Sequence, residues 1–215
     1  VCDEYEDRTH EAAKLVYEKY NKKPLASIKY HEILNSSDVD AVIIASAWES
    51  HIPIAIEAMK AKKHVGMEVG GAYSLKQCWD LVETAEQTGM SCMLLENCCY
   101  GRKELMVLNM VRQNLFGDIV HCSGGYHHDL REEISFGAEN RHYRLRNYLS
   151  RNCENYPTHE LGPIAKILNI NRGNRMVSLT STSSKAMGLN EYLVYKKPEE
   201  KGLVFSQGDI VTTVI

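Results

Sequence analysis

Short apolar runs alternate with amphipathic segments in the first part of the chain. Apolar residues that recur every three or four positions predict helices, and brief continuous apolar runs between turn residues predict strands. Such a rhythm is typical of βαβ winding. The predicted strands are residues 40–45, 64–67 and 92–95, and the predicted helices are residues 9–19, 52–61, 74–88 and 102–112.

The strand at 40–45 indicates which kind of sheet to expect. Its residues 41–45 are continuously apolar instead of alternating with polar ones. A parallel strand that is covered by helices on both faces has this pattern. The sequence therefore favours a Rossmann-like, doubly wound parallel sheet over an assorted α+β domain.

The pattern changes beyond residue 116. Residues 119–126 predict a strand, residues 127–155 have little periodicity, and Thr158 is a plausible N-cap for an apolar helix. Serine and threonine alternate with apolar residues at 176–183 and 209–215, which favours sheet strands. We therefore predict two domains, a first over 1–116 and an α+β domain with a mostly antiparallel sheet over 117–215. Both are expected to be truncated, because no glycine-rich first turn is found and the chain stops on a strand.

Composition narrows the class of ligand. The 215 residues include 25 Lys and Arg against 28 Asp and Glu, a formal charge of −3. This balance favours neither a nucleic-acid groove nor an anionic membrane. The seven cysteines form no CxxC pair and are expected to be mostly free thiols. A small, neutral or mildly polar ligand fits best, whereas compartment (exported or cytoplasmic) and oligomeric state, a homo-oligomer included, stay open.

Polar residues follow the predicted strands, and ligands of doubly wound sheets bind at those carboxyl ends. Asp3 follows what looks like the end of a strand, where an acidic side chain typically bonds the adenosine ribose; an acid near a helix N-terminus is an equal alternative. Trp48 to His51 follow the next strand, and Trp48 could flank a planar ring or simply pack. Glu68 follows the strand at 64–67, and Glu96 and Asn97 follow the strand at 92–95. Together these positions indicate a dinucleotide site.

A second group of candidates lies in the later part of the chain. Tyr156 and His159 sit at the mouth of a predicted helix, where they could transfer protons, although a capped core helix is the plainer alternative. Tyr126 precedes His127, His128 and Asp129, but adjacent histidines on a strand point to opposite faces. A shared metal is therefore disfavoured, and no metal is expected.

These residues together resemble the Gfo/Idh/MocA oxidoreductase superfamily and, more closely, the NAD-dependent glycoside hydrolases of family 109, which are α-N-acetylgalactosaminidases. Ordinary superfamily dehydrogenases carry Glu-Lys-Pro at the third strand end, with a lysine that assists hydride transfer. This chain has Glu68-Val69-Gly70 there, which favours the hydrolase branch. The segments that carry the resemblance are residues 1–3, 48–51, 66–69, 96–97, 124–126, 143–147 and 156–159.

The resemblance implies specific contacts for each group of residues. NAD contact is implied at Asp3, Trp48, Glu49, Ser50, His51, Glu68, Val69 and Asn97. Contact with a terminal N-acetylhexosamine of a glycan is implied at Tyr126, Arg144, Tyr156, Pro157, Thr158 and His159. The resemblance also implies a late tyrosine in the second domain, which is expected to lie beyond the end of this chain.

The resemblance also implies a mechanism of oxidation, elimination and addition. NAD takes hydride from the carbon bearing the 3-hydroxyl, the neighbouring C–H becomes acidic, the anomeric group leaves, water adds and the hydride returns. Tyr126, Tyr156 and His159 are the candidates for proton transfer, without an assignment of base and acid. A tyrosine near a cation can ionise, and Arg144 would supply a fixed fork of hydrogen-bond donors. A sugar or cyclitol dehydrogenase and a non-catalytic binding protein are the alternatives.

Overall fold

The computed structural model describes residues 1–200 and 202–215. The chain forms two compact units, Val1–Leu95 and Glu96–Ile215. The domain boundary predicted at residue 116 falls inside the second unit and stays a prediction. None of the helices in the described residues is both long enough and apolar enough to cross a membrane.

The first unit is a three-stranded parallel sheet with helices. Its strands lie in the order β1-β2-β3, and Ile44, Met67 and Leu94 are register partners, so the carboxyl ends of all three strands meet at one edge. The elements are α1 (Glu6–Tyr20), α2 (Tyr30–Leu34), β1 (Ala41–Ile44), α3 (Trp48–Lys60), β2 (His64–Met67), α4 (Leu75–Thr88) and β3 (Cys92–Leu94).

The core of this unit lies where α3 meets the sheet. Ile52, Ala55 and Met59 recur at helical spacing and are buried, and Val65 and Met67 belong to the same apolar cluster. Three- and four-residue spacing places the helix residues on one face, which is why the periodicity of the sequence located this helix. The helices predicted at 9–19 and 74–88 are likewise present, and Ser74 caps α4 by accepting from the Gln77 amide at 3.2 Å.

Two details of the first unit differ from the sequence prediction. Residues 1–3 belong to no named strand, and Cys2 forms only an isolated parallel bridge with Ser27. Helix α3 begins at Trp48 and not at Ile52, with Pro53 inside it. Proline favours the first positions of a helix, so Pro53 suggested that α3 starts near Ile52. Pro53 lies inside the helix instead, where its missing N–H costs one hydrogen bond. Trp48 to His51 therefore form the first turn of α3.

The second unit combines helices with a small antiparallel sheet. Strands β4 and β5 pair with Ser183 opposite Val211. Two 3-10 turns, Asn97–Tyr100 and Pro198–Glu200, accompany the regular elements. These are α5 (Arg102–Arg112), α6 (Arg131–Ser135), α7 (Arg144–Ser150), α8 (Thr158–Ile167), β4 (Thr180–Ser183), α9 (Gly188–Lys196) and β5 (Val211–Val214). A buried cluster of Ile134, Leu189, Leu193 and Phe205 forms the core.

Several predictions for this unit were wrong in detail. Residues 119–126 are not assigned to a strand. The aperiodic span 127–155 holds α6 and α7, which are too short for a helical period to show in a window of 11 or more residues. Both predicted sheet strands are present but shorter, and Thr158 is the first helical residue, with Pro157 at the N-cap position. The predicted fold class, a Rossmann-like sheet followed by an α+β part, is confirmed.

Candidate active site

Three of the predicted site residues form one aromatic cluster in the second unit. The ring centroids of Tyr126 and Tyr156 are 5.1 Å apart, and the His159 ring lies 5.0 Å from Tyr126 and 4.8 Å from Tyr156. Both contacts of the histidine are edge-to-face. Such contacts hold the imidazole in one orientation between two phenol rings.

The start of α8 places this cluster. Pro157 precedes the helix, so Tyr156 lies just before its first turn and His159 within it. Gly124 lets the segment carrying Tyr126 approach α8 closely, because a Cβ at Gly124 would lie 3.0 Å from the Glu160 Cβ. A bulkier residue at Gly124 would push this segment away from the helix.

His159 has a buried partner that the sequence analysis did not assign to this site. Its Nδ1 lies 2.7 Å from Oε1 of Glu96, and the two side chains are only 17% and 6% exposed. The same carboxylate oxygen accepts the Cys98 amide at 2.9 Å. Glu96 was noticed only as a polar residue after the third strand, and no local pattern could link it to a histidine 63 residues further along the chain.

The environment of Glu96 keeps it ionised. Burial by itself would raise the pKa of this carboxyl, but Thr158, the Cys98 amide and His159 together lower it. The Thr158 hydroxyl contributes although it makes no hydrogen bond of ordinary geometry. Because an ionised carboxylate can only accept, His159 must donate its Nδ1–H to Glu96, which leaves Nε2 as the basic nitrogen.

A glycine in α8 makes the approach of Glu96 possible. A Cβ at Gly162 would lie 2.8 Å from Sγ of Cys99 and 3.1 Å from Cγ of Glu96. Glycine inside a helix costs about 0.5–1 kcal/mol relative to alanine, so this close contact has a stability cost. Gly162 therefore helps to set the distance between the helix and the turn that carries the carboxylate.

Arg144 lies next to the aromatic cluster. Its guanidinium carbon is 5.0 Å from the centroid of the Tyr156 ring, within the range of a cation–π contact. Burial raises the pKa of Tyr156 to about 12, although Arg144 opposes this rise. The expectation that the cation would ionise the tyrosine is wrong for Tyr156, which stays a neutral phenol near pH 7.

An open cleft of about 1450 Å³ meets the cluster from one side. Tyr126, Arg144, Tyr156 and Pro157 line the cleft, whereas Thr158 and His159 do not. Glu160 also lines it, and burial raises the pKa of this carboxyl. Four of the six predicted sugar contacts therefore line the cleft. His159 does not line it but contacts Tyr126 and Tyr156, which do.

The loop before Tyr156 is held by a buried amide. Oε1 of Gln207 accepts the Cys153 amide at 3.2 Å and Nδ2 of Asn155 at 2.6 Å. Gln207 is 7% exposed, so loss of these bonds would leave buried polar groups without partners. A residue more than 50 positions away thus fixes the approach to the cluster, and no local sequence pattern indicates this contact.

The predicted cofactor residues of the first unit gather at the shared strand end. Nε2 of His51 lies 2.9 Å from the Ser46 carbonyl oxygen, and burial lowers the pKa of this imidazole. Trp48 and His51 are both buried, which supports the packing alternative for the tryptophan ring. A Cβ at Gly70 would lie only 2.5 Å from the His51 ring and 2.8 Å from the Trp48 ring, so only glycine allows the backbone to pass this close to the two rings.

The remaining cofactor candidates have mixed surroundings. Oδ1 of Asp3 accepts the Tyr5 amide at 2.9 Å just before α1, as a helix-entry acid would. Glu68 is exposed after β2, and its Oε2 accepts the Val69 amide at 3.0 Å. Glu49 and Ser50 lie in the first turn of α3. Asn97 belongs to the second unit, where it begins a 3-10 turn. Their contacts with NAD stay predictions.

Comparison with known families assigns each unit a class. Residues 1–95 match the family described as oxidoreductase family, NAD-binding Rossmann fold. Residues 100–215 match the C-terminal domain of glycosyl hydrolase 109. The first unit is thus the nucleotide-binding part of a Gfo/Idh/MocA protein. The chain belongs to glycosyl hydrolase family 109.

Curated relatives agree with this assignment. A protein named glycosyl hydrolase family 109 protein 1 from a Shewanella species and an alpha-N-acetylgalactosaminidase from Shewanella oneidensis are each 40% identical over 100% of this chain. The match covers 49% of either relative, so the chain spans about half the length of the curated relatives it matches.

Solved structures show the same fold at low identity. Myo-inositol 2-dehydrogenase from Lactobacillus plantarum aligns with a TM-score of 0.69 at 12% identity, over 99% of this chain and 56% of that one. A probable dehydrogenase from Thermotoga maritima aligns with a TM-score of 0.64 at 18% identity, with the same coverage.

Proposed function

We propose that the protein is a glycosidase that removes terminal N-acetylgalactosamine and that NAD takes part by transient reduction. The observation that carries this proposal is the pairing of His159 with an ionised, buried Glu96 against two phenol rings. The name of the Shewanella oneidensis relative supports the sugar. The nucleotide-binding fold of the first unit supports the cofactor.

His159 is the group of the cluster whose tautomer is best defined for proton transfer, and it contacts Tyr126 and Tyr156, which line the cleft. Its Nδ1–H is directed to Glu96, which fixes the tautomer and leaves Nε2 without a proton, so that this nitrogen can accept one. In this proposal NAD, when bound, supplies reversible hydride acceptance from the sugar carbon that bears the 3-hydroxyl. The imidazole takes the proton from the neighbouring carbon, which the adjacent ketone has made acidic.

Tyr156 acts as a neutral hydrogen-bond donor in this proposal. With its pKa raised to about 12, Tyr156 holds its proton and can donate to a sugar oxygen at the cleft. The Tyr126 hydroxyl lies 2.5 Å from Nδ1 of His128, so its direction is already fixed. The positive charge of Arg144 disfavours protonation of a ligand group bound beside it.

The residues of the first unit fit a nicotinamide dinucleotide. Gly70 leaves no space for a side chain between the backbone and the rings of His51 and Trp48, and a backbone free of side chains suits close approach of a ligand. In this proposal Asp3 bonds the ribose hydroxyls, and its charge would repel the 2′-phosphate of NADP, which favours NAD.

Gly70→Ala tests the cofactor part of the proposal. The added methyl group must displace the His51 ring, so we expect NAD to bind at least about tenfold more weakly, a change of about 1.4 kcal/mol. Calorimetric titration with NAD measures the effect. Gly71→Ala is the matched control, because a Cβ at Gly71 meets no atom within 4 Å. Equal affinities in both variants would show that Gly70 is not part of the cofactor site.

Turnover without net reduction tests the mechanism. Hydrolysis of an aryl α-N-acetylgalactosaminide should release sugar while absorbance from NADH stays flat, because the hydride returns in each cycle. The second candidate function, a sugar dehydrogenase, is supported by the fold likeness to myo-inositol 2-dehydrogenase and predicts the opposite. Growth of NADH in proportion to the sugar consumed would favour the dehydrogenase.

A further inference from the structure

The turn that carries Glu96 also brings a thiol to His159. One donor atom from each of Glu96, Cys98 and His159 lies within 4.8 Å of the other two. All three residues belong to the second unit, and the turn and α8 hold them together through Gly162. The proposed hydrolysis uses the carboxylate and the imidazole but has no role for the thiol.

The composition of this cluster selects one class of cation. A carboxylate oxygen, an imidazole nitrogen and a thiolate sulfur are zinc ligands, and three of them leave a fourth tetrahedral position open. Magnesium and calcium prefer oxygen ligands alone, so the sulfur and nitrogen disfavour both. The donor set therefore fits a thiophilic divalent cation.

A second observation points to a missing partner at the same place. Oε2 of Glu96 is buried and makes no hydrogen bond of ordinary geometry to the described residues, although the Thr158 hydroxyl is close enough to lower the pKa of the carboxyl, and the residue as a whole is only 5% exposed. A buried oxygen without a partner is costly, and a cation beside it would remove that cost. The other carboxylate oxygen is already bonded to Nδ1 of His159.

We propose that Glu96, Cys98 and His159 bind a thiophilic divalent cation of the zinc class and that the bound cation blocks proton transfer by His159. Binding displaces the Cys98 thiol proton, which is released to solvent. The single proton of the neutral His159 imidazole moves from Nδ1, which binds the cation, to Nε2, which can then no longer act as a base. The blocking effect rests on the proposed glycosidase function, whereas cation binding does not.

The geometry requires only small movements. Zinc ligands lie about 2.0–2.3 Å from the metal, so tetrahedral donors stand about 3–4 Å apart. The imidazole and the carboxylate must separate slightly from 2.7 Å, and Cys98 must move inward on its 3-10 turn. A cysteine in a short turn makes this movement more easily than one in a regular helix.

A titration of the metal-free protein with Co²⁺ tests the site without any assay of activity. Cobalt takes the same ligands, and a near-ultraviolet charge-transfer band reports a bound thiolate. We expect the band in the wild type and its loss in Cys98→Ala, with affinity lowered by more than the roughly 10- to 100-fold that an outer-shell partner contributes. Cys99→Ala is the matched control and should keep the band. A wild type without the band, or a Cys98→Ala variant that retains it, would overturn the proposal.

The blocking effect needs a separate measurement. Micromolar zinc should inhibit hydrolysis by the wild type and by Cys99→Ala, a chelator should reverse the inhibition, and Cys98→Ala should resist it. If the cobalt band depends on Cys98 but zinc leaves turnover unchanged, the blocking part is overturned while the cation site stands. If no form of the protein hydrolyses the glycoside, the proposed function fails, and the cobalt titration still decides the site.

Discussion

His159→Ala is expected to lower kcat by about two to four orders of magnitude, the usual contribution of a positioned acid or base. The imidazole is the only group of the aromatic cluster whose proton position is set by a buried carboxylate. NAD affinity should not change, because His159 is not among the residues predicted to contact NAD. Single-turnover hydrolysis of an aryl α-N-acetylgalactosaminide, with calorimetry for NAD, measures both quantities.

A structural role for His159 would give a different result. The variant would then lose about 1–3 kcal/mol of stability, from lost packing and from the unpaired Glu96 carboxylate, while the folded fraction kept its turnover. His10→Ala is the matched control, since that side chain is 72% exposed and should affect neither quantity. A folded, NAD-loaded His159→Ala protein with near wild-type turnover would remove the residue from the site.

Phe205→Ala is expected to destabilise the second unit by about 3–5 kcal/mol, the range for a large buried aromatic side chain. Phe205 is 1% exposed and packs with Ile134 and Leu193. The next residues along the chain carry the Gln207 amide that holds the loop before Tyr156, so turnover should fall together with stability. Denaturant unfolding followed by far-ultraviolet circular dichroism gives the free energy of unfolding.

An exposed aromatic residue in the same unit provides the comparison. Tyr195 is 78% exposed on α9, so Tyr195→Ala should change stability by no more than about 0.5 kcal/mol. A similar loss for both variants would mean that the Phe205 cluster is not the core of this unit.

Long periodic elements could be predicted from the sequence, and short ones could not. The helix at 102–112 has the predicted bounds, because its helical spacing persists over eleven residues. Helices α6 and α7 span only five and seven residues, too few to display a period. Residues 119–126 have a strand-like composition, yet composition does not supply a strand to pair with.

The candidate site divides in a similar way. Tyr126, Tyr156 and His159 could be chosen from residue type and their place next to a predicted helix, and the structure brings them together. Glu96 and Gln207 could not be assigned, because their contacts join residues more than 50 positions apart. Long-range pairs of this kind leave no trace in local spacing. Tyr156 is a neutral phenol near pH 7, because burial raises its pKa more than the neighbouring Arg144 lowers it.

Gly162 controls how closely Glu96 can approach α8 and therefore His159. The residue carries no functional group, yet one added methyl group would meet Glu96 and Cys99 at about the distance of a steric clash. The hydrogen bond that fixes the tautomer of His159 could therefore be lengthened by a substitution that alters no charge and removes no polar atom. Related enzymes can therefore differ in the pH dependence of turnover through a substitution at this position, although it carries no reactive side chain.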